Sequence, residues 1–152
     1  TVLINLCKLL MLGSGDKVRR RRDTDGPRPG DIMRRKTILI VDDEPVWRNL
    51  LSRLLVPSGY RVITAPNGAC GLRAARAGEA DCVILDYNLP DGTAREFCPA
   101  IRGALPEGTP IIIFSSEPSA AGLLDGEGRA DAFFLKTTPL KALLAAVKEL
   151  TR

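Results

Sequence analysis

The apolar run CVIL at residues 82–85, followed directly by Asp86, constrains the fold more than any other stretch of the chain. An uninterrupted apolar run with β-branched members is typical of a strand buried on both faces, as in a parallel sheet packed between helices. The next residues are loop formers, among them Asn88, Pro90, Asp91 and Gly92. Open α/β sheets place their ligand sites beyond the carboxyl ends of the strands, so Asp86 is a candidate site residue. From this stretch alone, a simple helix cap is an equal alternative.

Three further apolar strand runs also end on polar or charged side chains; these are TILIV before Asp42 and Asp43, IIIF before Ser115, and AFFL before Lys136. If the strands are parallel, their carboxyl ends meet at one edge of the sheet, and these side chains collect there with Asp86. Three acids, a hydroxyl and an amine seldom fall at four such positions by chance. We therefore expect one polar pocket at this edge.

The motifs ILIVDDEP, VILDYNLPDG, IIIFSSE and FFLK, in this order and spacing, resemble the receiver domain of two-component response regulators. Each motif alone is a weak signal, whereas the four together are specific. The resemblance covers about residues 37–151, and we assign a receiver domain to residues 37–152.

Strand and helix patterns alternate throughout this region. A second strand is predicted at 60–64, and the clearest helices run from Pro45 to Leu55 and from 68 to 77. Five βα units in sequence imply an α/β fold of the flavodoxin-like (βα)5 type, a three-layer sandwich with a parallel sheet in the order 2-1-3-4-5.

The third and fourth helices carry weaker signals than the last one. Pro99 lies inside a helix that Thr93 can cap, so we expect that helix to be kinked or to begin late. Three glycines between residues 118 and 129 predict a short, mobile fourth helix. The last helix is predicted to have Thr138 as its cap and Pro139 in its first turn.

Residues 1–36 differ from the rest in charge. They hold ten Lys and Arg against four Asp, whereas residues 37–152 hold twelve against fourteen Asp and Glu. The net charge of +4 therefore belongs to the leader, and we expect no nucleic-acid binding by the folded domain. We predict a disordered basic leader at 1–36, with Met33 as the natural start. A real basic arm that touches nucleic acid or anionic lipid is the alternative.

The sequence argues against several kinds of site. The apolar stretch at 2–12 is too short to span a bilayer and lacks the preceding basic segment of a secretory signal. The chain has no histidine and its cysteines form no CxxC pair, so zinc-type spacing is absent. We expect a cytoplasmic protein without membrane contact, whose thiols are reduced; these are Cys7, Cys70, Cys82 and Cys98.

The predicted pocket brings together three carboxylates, which repel one another unless a cation is present. Two unit charges about 4 Å apart repel by roughly 4 kcal/mol at an effective dielectric of about 20. Oxygen ligands, together with chemistry on a phosphoryl group, favour Mg²⁺ as the cofactor. The resemblance implies Asp43 and Asp86 as direct ligands, with Asp42 acting through water. It also implies the backbone carbonyl of Asn88 as the third protein ligand.

The resemblance further implies that Asp86 is the nucleophile, which takes a phosphoryl group from a sensor histidine kinase or phosphotransfer protein. Lys136 and Mg²⁺ would neutralise charge on the phosphoryl oxygens. Because the chain has no histidine, the donor histidine lies on another protein. The chain would not be an enzyme in the usual sense, since it performs only self-phosphotransfer and autodephosphorylation.

Two residues match the signalling positions of receiver domains. Ser115 matches the switch hydroxyl, with Ser116 as a neighbour that competes for the role. Phe133, three residues before Lys136, matches the switch aromatic; its alternatives are plain core packing and a competing Phe134.

Asn88 and Glu117 match the positions that tune self-dephosphorylation. The pair is similar to the chemotaxis-type pattern, which implies a phosphoryl group that is lost without a phosphatase. One position departs from the family, because Thr137 replaces the usual proline after Lys136. A cis bond before a residue other than proline costs about 3–4 kcal/mol, so we expect a trans bond there.

We therefore predict a phospho-acceptor switch of a two-component system. It would signal by protein–protein contact through its fourth helix, fifth strand and fifth helix, and we expect it to stand alone. The alternatives are a phosphorylation-independent adaptor of the same fold, or the receiver fragment of a longer DNA-binding regulator or hybrid kinase. A hydrolase that forms an aspartyl-phosphate from small substrates is a more distant alternative.

Overall fold

The computed structural model describes residues 2–4, 34–126 and 128–152. The strands are β1 Val2–Ile4, β2 Thr37–Val41, β3 Arg61–Ala65, β4 Cys82–Leu85, β5 Asn88–Leu89, β6 Gly92–Thr93, β7 Ile111–Ser115 and β8 Ala132–Leu135. The α-helices are α1 Pro45–Leu55, α2 Gly68–Arg76, α3 Ala94–Ala104 and α4 Leu140–Leu150. A 3₁₀-helix, Pro118–Leu124, lies between β7 and β8.

Five parallel strands form the main sheet in the order β3-β2-β4-β7-β8. Counted along the domain, this is the predicted order 2-1-3-4-5, so the flavodoxin-like fold is confirmed. Val41 aligns with Leu85, and Leu85 aligns with Ile113. The strands consequently end at a common edge, and the residues that follow them lie side by side.

A sixth strand, β1, pairs antiparallel with the outer edge of β8, with Leu3 opposite Phe133. The three residues of β1 are β-branched or apolar, and the edge of β8 offers backbone groups for pairing. This strand lies within the predicted leader at 1–36, whose disorder stays a prediction. Residues 5–33, including Met33 and Cys7, lie outside the described residues.

Both faces of the sheet are buried, because each is covered by helices. One core contains Leu39, Val83 and Ile113 and meets α2, α3 and the 3₁₀-helix. The other contains Ile40 and Ile84 and meets α1 and α4. Burial on both faces explains why β2, β4, β7 and β8 are largely continuous apolar runs, whereas the edge strand β3 is partly exposed.

Local contacts determine where α2 and α3 begin. The side chain of Asn67 caps α2 by accepting a hydrogen bond from the Cys70 N–H at 2.8 Å. The Thr93 N–H donates to the Glu96 carboxylate at 2.9 Å at the start of α3. The third helix therefore does not begin late, and Pro99 lies within it.

Two predictions about helices need correction. The segment after β7 forms a 3₁₀-helix, not an α-helix, and it ends at Leu124, before two of the three glycines. The prediction that Thr138 caps α4 is wrong, because Pro139 occupies the N-cap position. Thr138 thus lies one residue too early for its hydroxyl to reach the first free N–H groups, and that buried hydroxyl has no hydrogen-bond partner.

Two further predictions concern thiols and membranes. None of the described cysteines forms a disulfide, and burial raises the pKa of the Cys98 thiol to about 11. Over the described ranges, every helix is too short or too polar to cross a membrane.

Candidate functional site

Four strand ends bring the predicted site residues to one edge of the sheet. Asp42 follows β2, Asp86 follows β4, Ser115 ends β7 and Lys136 follows β8. Their exposed fractions are only 2%, 6%, 1% and 8% respectively. Polar side chains that are buried to this extent require specific partners.

Lys136 supplies a partner to three carboxylates. Its Nζ lies 2.9 Å from Asp42 Oδ2 and 3.0 Å from Asp86 Oδ2. It also lies 3.2 Å from Glu44 Oε1, although that glutamate is 56% exposed. The lysine thus points into the pocket and not toward solvent, as the preceding apolar strand predicts.

Burial and pairing act against each other on these groups. Burial raises the pKa of Asp42 and of Asp86, and the hydrogen bonds from Lys136 offset that shift only in part. Burial alone would lower the pKa of Lys136, but its hydrogen bonds to both aspartates outweigh burial and raise the pKa. The ammonium therefore stays charged, whereas a further cation would stabilise the ionised form of the two carboxylates.

An acidic cluster can hold that cation. Asp42, Asp43, Glu44 and Asp86 each offer a carboxylate oxygen, and these oxygens lie within 4.8 Å of one another. Asp43 and Glu44 form the exposed side of the cluster, and Asp42 and Asp86 form the buried side. A set made only of oxygen ligands, open to water on one side, fits Mg²⁺.

The cluster opens into a cleft of about 240 Å³ that also has room for a small anion. Its lining residues are Asp43, Glu44, Asp86, Asn88, Ser115, Ser116 and Lys136. Most of the predicted site residues therefore meet at one cleft. Asp42 is buried and does not line the cleft, but it is paired with Lys136.

Ser115 is already engaged in a local turn. Its Oγ accepts a hydrogen bond from the Glu117 N–H at 3.0 Å. The Glu117 carboxylate in turn accepts hydrogen bonds from the backbone N–H and the hydroxyl of Ser119, at 3.2 and 2.9 Å. In this conformation Glu117 caps the 3₁₀-helix, and it is not among the residues that line the cleft.

The two candidate aromatic residues face opposite sides of the sheet. Phe133 is 2% exposed and packs in the core beside α2, α3 and the 3₁₀-helix. Phe134 is 1% exposed and packs in the core beside α1 and α4. Phe133 is therefore in an inward position on the side of the 3₁₀-helix.

The structure adds three residues of α1 and its cap that the sequence did not point to. Glu44 contacts Lys136 and belongs to the acidic cluster; the run DDE was the available signal. Arg48 donates to the backbone carbonyls of Asp42 and Asp43 at 2.7 and 2.8 Å, which holds the acidic loop in place. The ring of Trp47 lies beneath the Lys136 ammonium.

Asp91 is a fourth residue whose role could not be read from the sequence. Its two carboxylate oxygens accept hydrogen bonds from the N–H groups of Gly68 and Ala69, each at 2.8 Å. These contacts join the loop after Asp86 to the first turn of α2. The partners are more than twenty positions apart in the chain, so no local motif indicates them.

Comparison with known proteins decides the family. Residues 38–148 match the model of the response regulator receiver domain. The chain belongs to this family. A transcriptional regulatory protein of Mycobacterium tuberculosis, KdpE, is 34% identical to this receiver over 116 residues, which is 76% of the chain and 50% of that protein. The receiver thus spans about half the length of the curated relatives it matches.

Solved structures of response regulators have the same fold as this receiver. A CheY-like receiver domain protein from Methanospirillum hungatei is 26% identical with a TM-score of 0.72, over 78% of this chain and 94% of that one. The response regulator TrrA from Thermotoga maritima, solved in complex with Mg²⁺-BeF, is 33% identical with a TM-score of 0.68. That match covers 76% of this chain and 98% of TrrA. Receiver domains are signalling switches of two-component systems and not enzymes in the usual sense.

Thr137 takes the place of the family's usual proline directly after Lys136. No cis peptide bond occurs among the described residues, so the Lys136–Thr137 bond is trans as predicted. The Lys136 N–H still donates to the Ser115 carbonyl at 2.9 Å, and the Thr138 N–H donates to the Leu135 carbonyl at 2.8 Å. A tight turn thus holds the lysine in place without the proline.

Proposed function

We propose that this chain is a phospho-acceptor switch in which Asp86 takes a phosphoryl group from a histidine kinase or phosphotransfer protein. One observation carries the proposal: Lys136 Nζ lies 3.0 Å from Asp86 Oδ2 at the buried end of an acidic cluster that fits Mg²⁺. The nucleophile, the fixed positive charge and the ligands for a divalent cation are thus present in one cleft.

The chemistry is a transfer of the phosphoryl group between two proteins. The bond from phosphorus to the histidine nitrogen breaks, and a bond from phosphorus to Asp86 Oδ forms; the nitrogen keeps the electron pair. Mg²⁺, when bound, supplies charge neutralisation at the phosphoryl oxygens. Asp43, Asp86 and the carbonyl of Asn88 would hold it directly, and Asp42 would hold it through water.

The protein's own groups have defined tasks in this proposal. Lys136 donates a hydrogen bond to a phosphoryl oxygen, for which it exchanges one of its present carboxylate partners. Ser115 releases the Glu117 N–H and binds the same phosphoryl group, with Phe133 responding in the adjacent core. Asn88 and Glu117 tune the attack of water that later removes the phosphoryl group.

The proposal extends to the setting of the switch. We place the receiver at residues 37–152 in the cytoplasm, after a basic leader at 1–36. The output surface consists of the 3₁₀-helix, β8 and α4, and it binds an unidentified protein, not nucleic acid. The kinase meets the receiver at the cleft, beside the exposed apolar side chains of Val46 and Leu50 on α1.

A second candidate function follows from the relatives. Those named as transcriptional regulatory proteins, such as KdpE, are about twice as long as the part that matches this chain. On this reading the chain is the receiver part of a longer transcriptional regulator. The intact mass of the native protein, purified through an antibody against the receiver, distinguishes the two: a mass well above 16.4 kDa supports the longer regulator.

The proposed phosphorylation is tested by intact mass after incubation with acetyl phosphate, with and without Mg²⁺. We expect a gain of one phosphoryl group that requires Mg²⁺ and is absent in Asp86→Asn. Asp125→Asn is the matched control, because Asp125 is an exposed aspartate that does not line the cleft; it should be phosphorylated like the wild type. No gain in folded wild-type protein would reject the proposal in favour of a phosphate-independent adaptor.

A further inference from the structure

The third residue of α1, Trp47, makes two ring contacts beside the cleft. The Lys136 ammonium lies over its ring, 5.3 Å from the ring centroid. The ring also meets Phe114 edge to face, with centroids 5.3 Å apart and planes at 86°. Phe114 directly precedes Ser115. Trp47 therefore contacts both the Lys136 ammonium and the strand residue next to Ser115. It is the chain's only tryptophan.

The contact with Lys136 has a clear physical basis. A cation within about 6 Å of an indole centroid is attracted by the negative face of the ring, and indole is the strongest of the aromatic side chains in this respect. The lysine side chain is 4% exposed, so water screens the attraction little. Phe114 restricts the tilt of the ring, since the edge-to-face geometry would be lost if the ring turned.

Trp47 differs from the other partners of Lys136 in one respect. Asp42, Glu44 and Asp86 attract the ammonium, but all three belong to the acidic cluster that fits a divalent cation. A carboxylate that binds a metal ion gives up part of its attraction for the lysine. The indole face competes for no metal, so its contact with Lys136 persists when the carboxylates are engaged.

We propose that Trp47 is a positioning residue, which holds the Lys136 ammonium over the cleft while the carboxylates bind Mg²⁺. The inference rests on the proposed function for its role in phosphorylation, but the Trp47–Lys136 contact itself can be tested without phosphate or metal. Trp47 does not touch the reacting atoms; it acts through Lys136.

A single tryptophan allows a test that leaves the shape of the side chain almost unchanged. The protein is produced with tryptophan or with analogues that carry one, two or four ring fluorines, which progressively weaken the negative face of the ring. Urea unfolding in EDTA is measured for each analogue in the wild-type sequence and in Lys136→Met. From tryptophan to the tetrafluoro analogue, the equilibrium constant for unfolding should rise by about two- to fivefold more in the wild type than in Lys136→Met. A purely structural tryptophan would give parallel series in the two backgrounds.

The same proteins are then phosphorylated with acetyl phosphate at saturating Mg²⁺. The rate should fall by about two- to fivefold from tryptophan to the tetrafluoro analogue. Parallel unfolding series, or an unchanged rate in proteins that do become phosphorylated, would overturn the inference. If no protein of the series accepts phosphate, the proposed function fails and with it the positioning role, while the unfolding series still reports whether the contact exists.

Discussion

Among single residues, Lys136 makes it possible for Asp42 and Asp86 to be buried together. Its ammonium is within 3.0 Å of a carboxylate oxygen of each. Asp43 has a different position, because its side chain is exposed and its charge raises the pKa of Asp86 as a minor addition to the effect of burial. The Asp43 carboxylate therefore repels the other ionised carboxylates of the cluster, and it would contribute to the binding of a cation.

This double effect predicts the behaviour of Asp43→Asn. In EDTA the variant should be slightly more stable than the wild type, by less than about 1 kcal/mol, because one repulsive charge is removed. Mg²⁺ at ten times its dissociation constant should stabilise the wild type by about 1.4 kcal/mol. At that concentration the variant should show less than half of this gain.

Urea unfolding with EDTA and with Mg²⁺ measures both quantities. Asp125→Asn serves as the control, since it removes an exposed charge that does not belong to the acidic cluster, and it should keep the wild-type response to Mg²⁺. A full Mg²⁺ response in Asp43→Asn would exclude Asp43 as a ligand.

The roles of single residues were only partly predictable. Asp42, Asp86, Ser115 and Lys136 could be placed because each directly follows or ends a continuous apolar strand, and parallel strands end at one edge. The contacts of Trp47 and Arg48 depend on how α1 is turned against the sheet. That orientation results from packing over both helices and strands, which the spacing of apolar residues does not specify.

At the scale of elements, α2 packs against the sheet so closely at Gly71 that no side chain fits there unless its neighbours move. A Cβ added at Gly71 would lie 2.7 Å from Cγ2 of Val41, which is buried in β2. A Cβ at Gly103, in contrast, would meet nothing within 4 Å, although this glycine also lies inside a helix. Gly71 therefore allows close packing of α2 on the sheet, whereas Gly103 only weakens α3.

Opposite changes in stability should follow from the same substitution. Gly71→Ala should reduce the free energy of unfolding by about 1–3 kcal/mol, because α2 or Val41 must move. Gly103→Ala should increase it by about 0.5–1 kcal/mol, since alanine restricts the unfolded chain and favours the helix. Urea unfolding of both variants provides the comparison, and a destabilised Gly103→Ala would show that the exposed face of α3 has an unrecognised packing role.

The elements themselves were largely predictable, and the exceptions have physical causes. The strands and α1 follow from continuous apolar runs and from an amphipathic stripe that Pro45 starts. The 3₁₀-helix and the uncapped start of α4 did not follow. Both depend on the backbone conformation of the turns beside β7 and β8, which the spacing of apolar residues does not specify. The pairing of β1 depends on an edge that exists only after the sheet has formed.

In the molecule as a whole, stability should be distributed unevenly. Every residue of β4 is at most 1% exposed, and its neighbours β2 and β7 pair with it on both sides. The 3₁₀-helix lies at the surface, and its turns have poorer hydrogen-bond geometry than α-helical turns. Amide hydrogens of β4 should therefore exchange only by global unfolding, and those of 118–124 by local opening.

Hydrogen exchange followed by mass spectrometry tests this distribution. Peptides that cover β4 should be the slowest to exchange, and peptides that cover the 3₁₀-helix should exchange at least tenfold faster at the same pH. The segment of α2 serves as an internal reference of intermediate protection. Equal protection of the 3₁₀-helix and β4 would show that the two belong to one cooperative unit.

The contacts of Asp91 have a consequence for how occupancy of the cleft is communicated. They join the segment after Asp86 to the first turn of α2, whereas the hydrogen bonds made by the side chains of Ser115 and Glu117 reach no farther than two residues along the chain. The cleft thus has one fixed wall and one adjustable wall. Occupancy of the cleft should therefore change the conformation of β7 and the 3₁₀-helix. The conformation of α2 should be the same with the cleft empty and with it occupied.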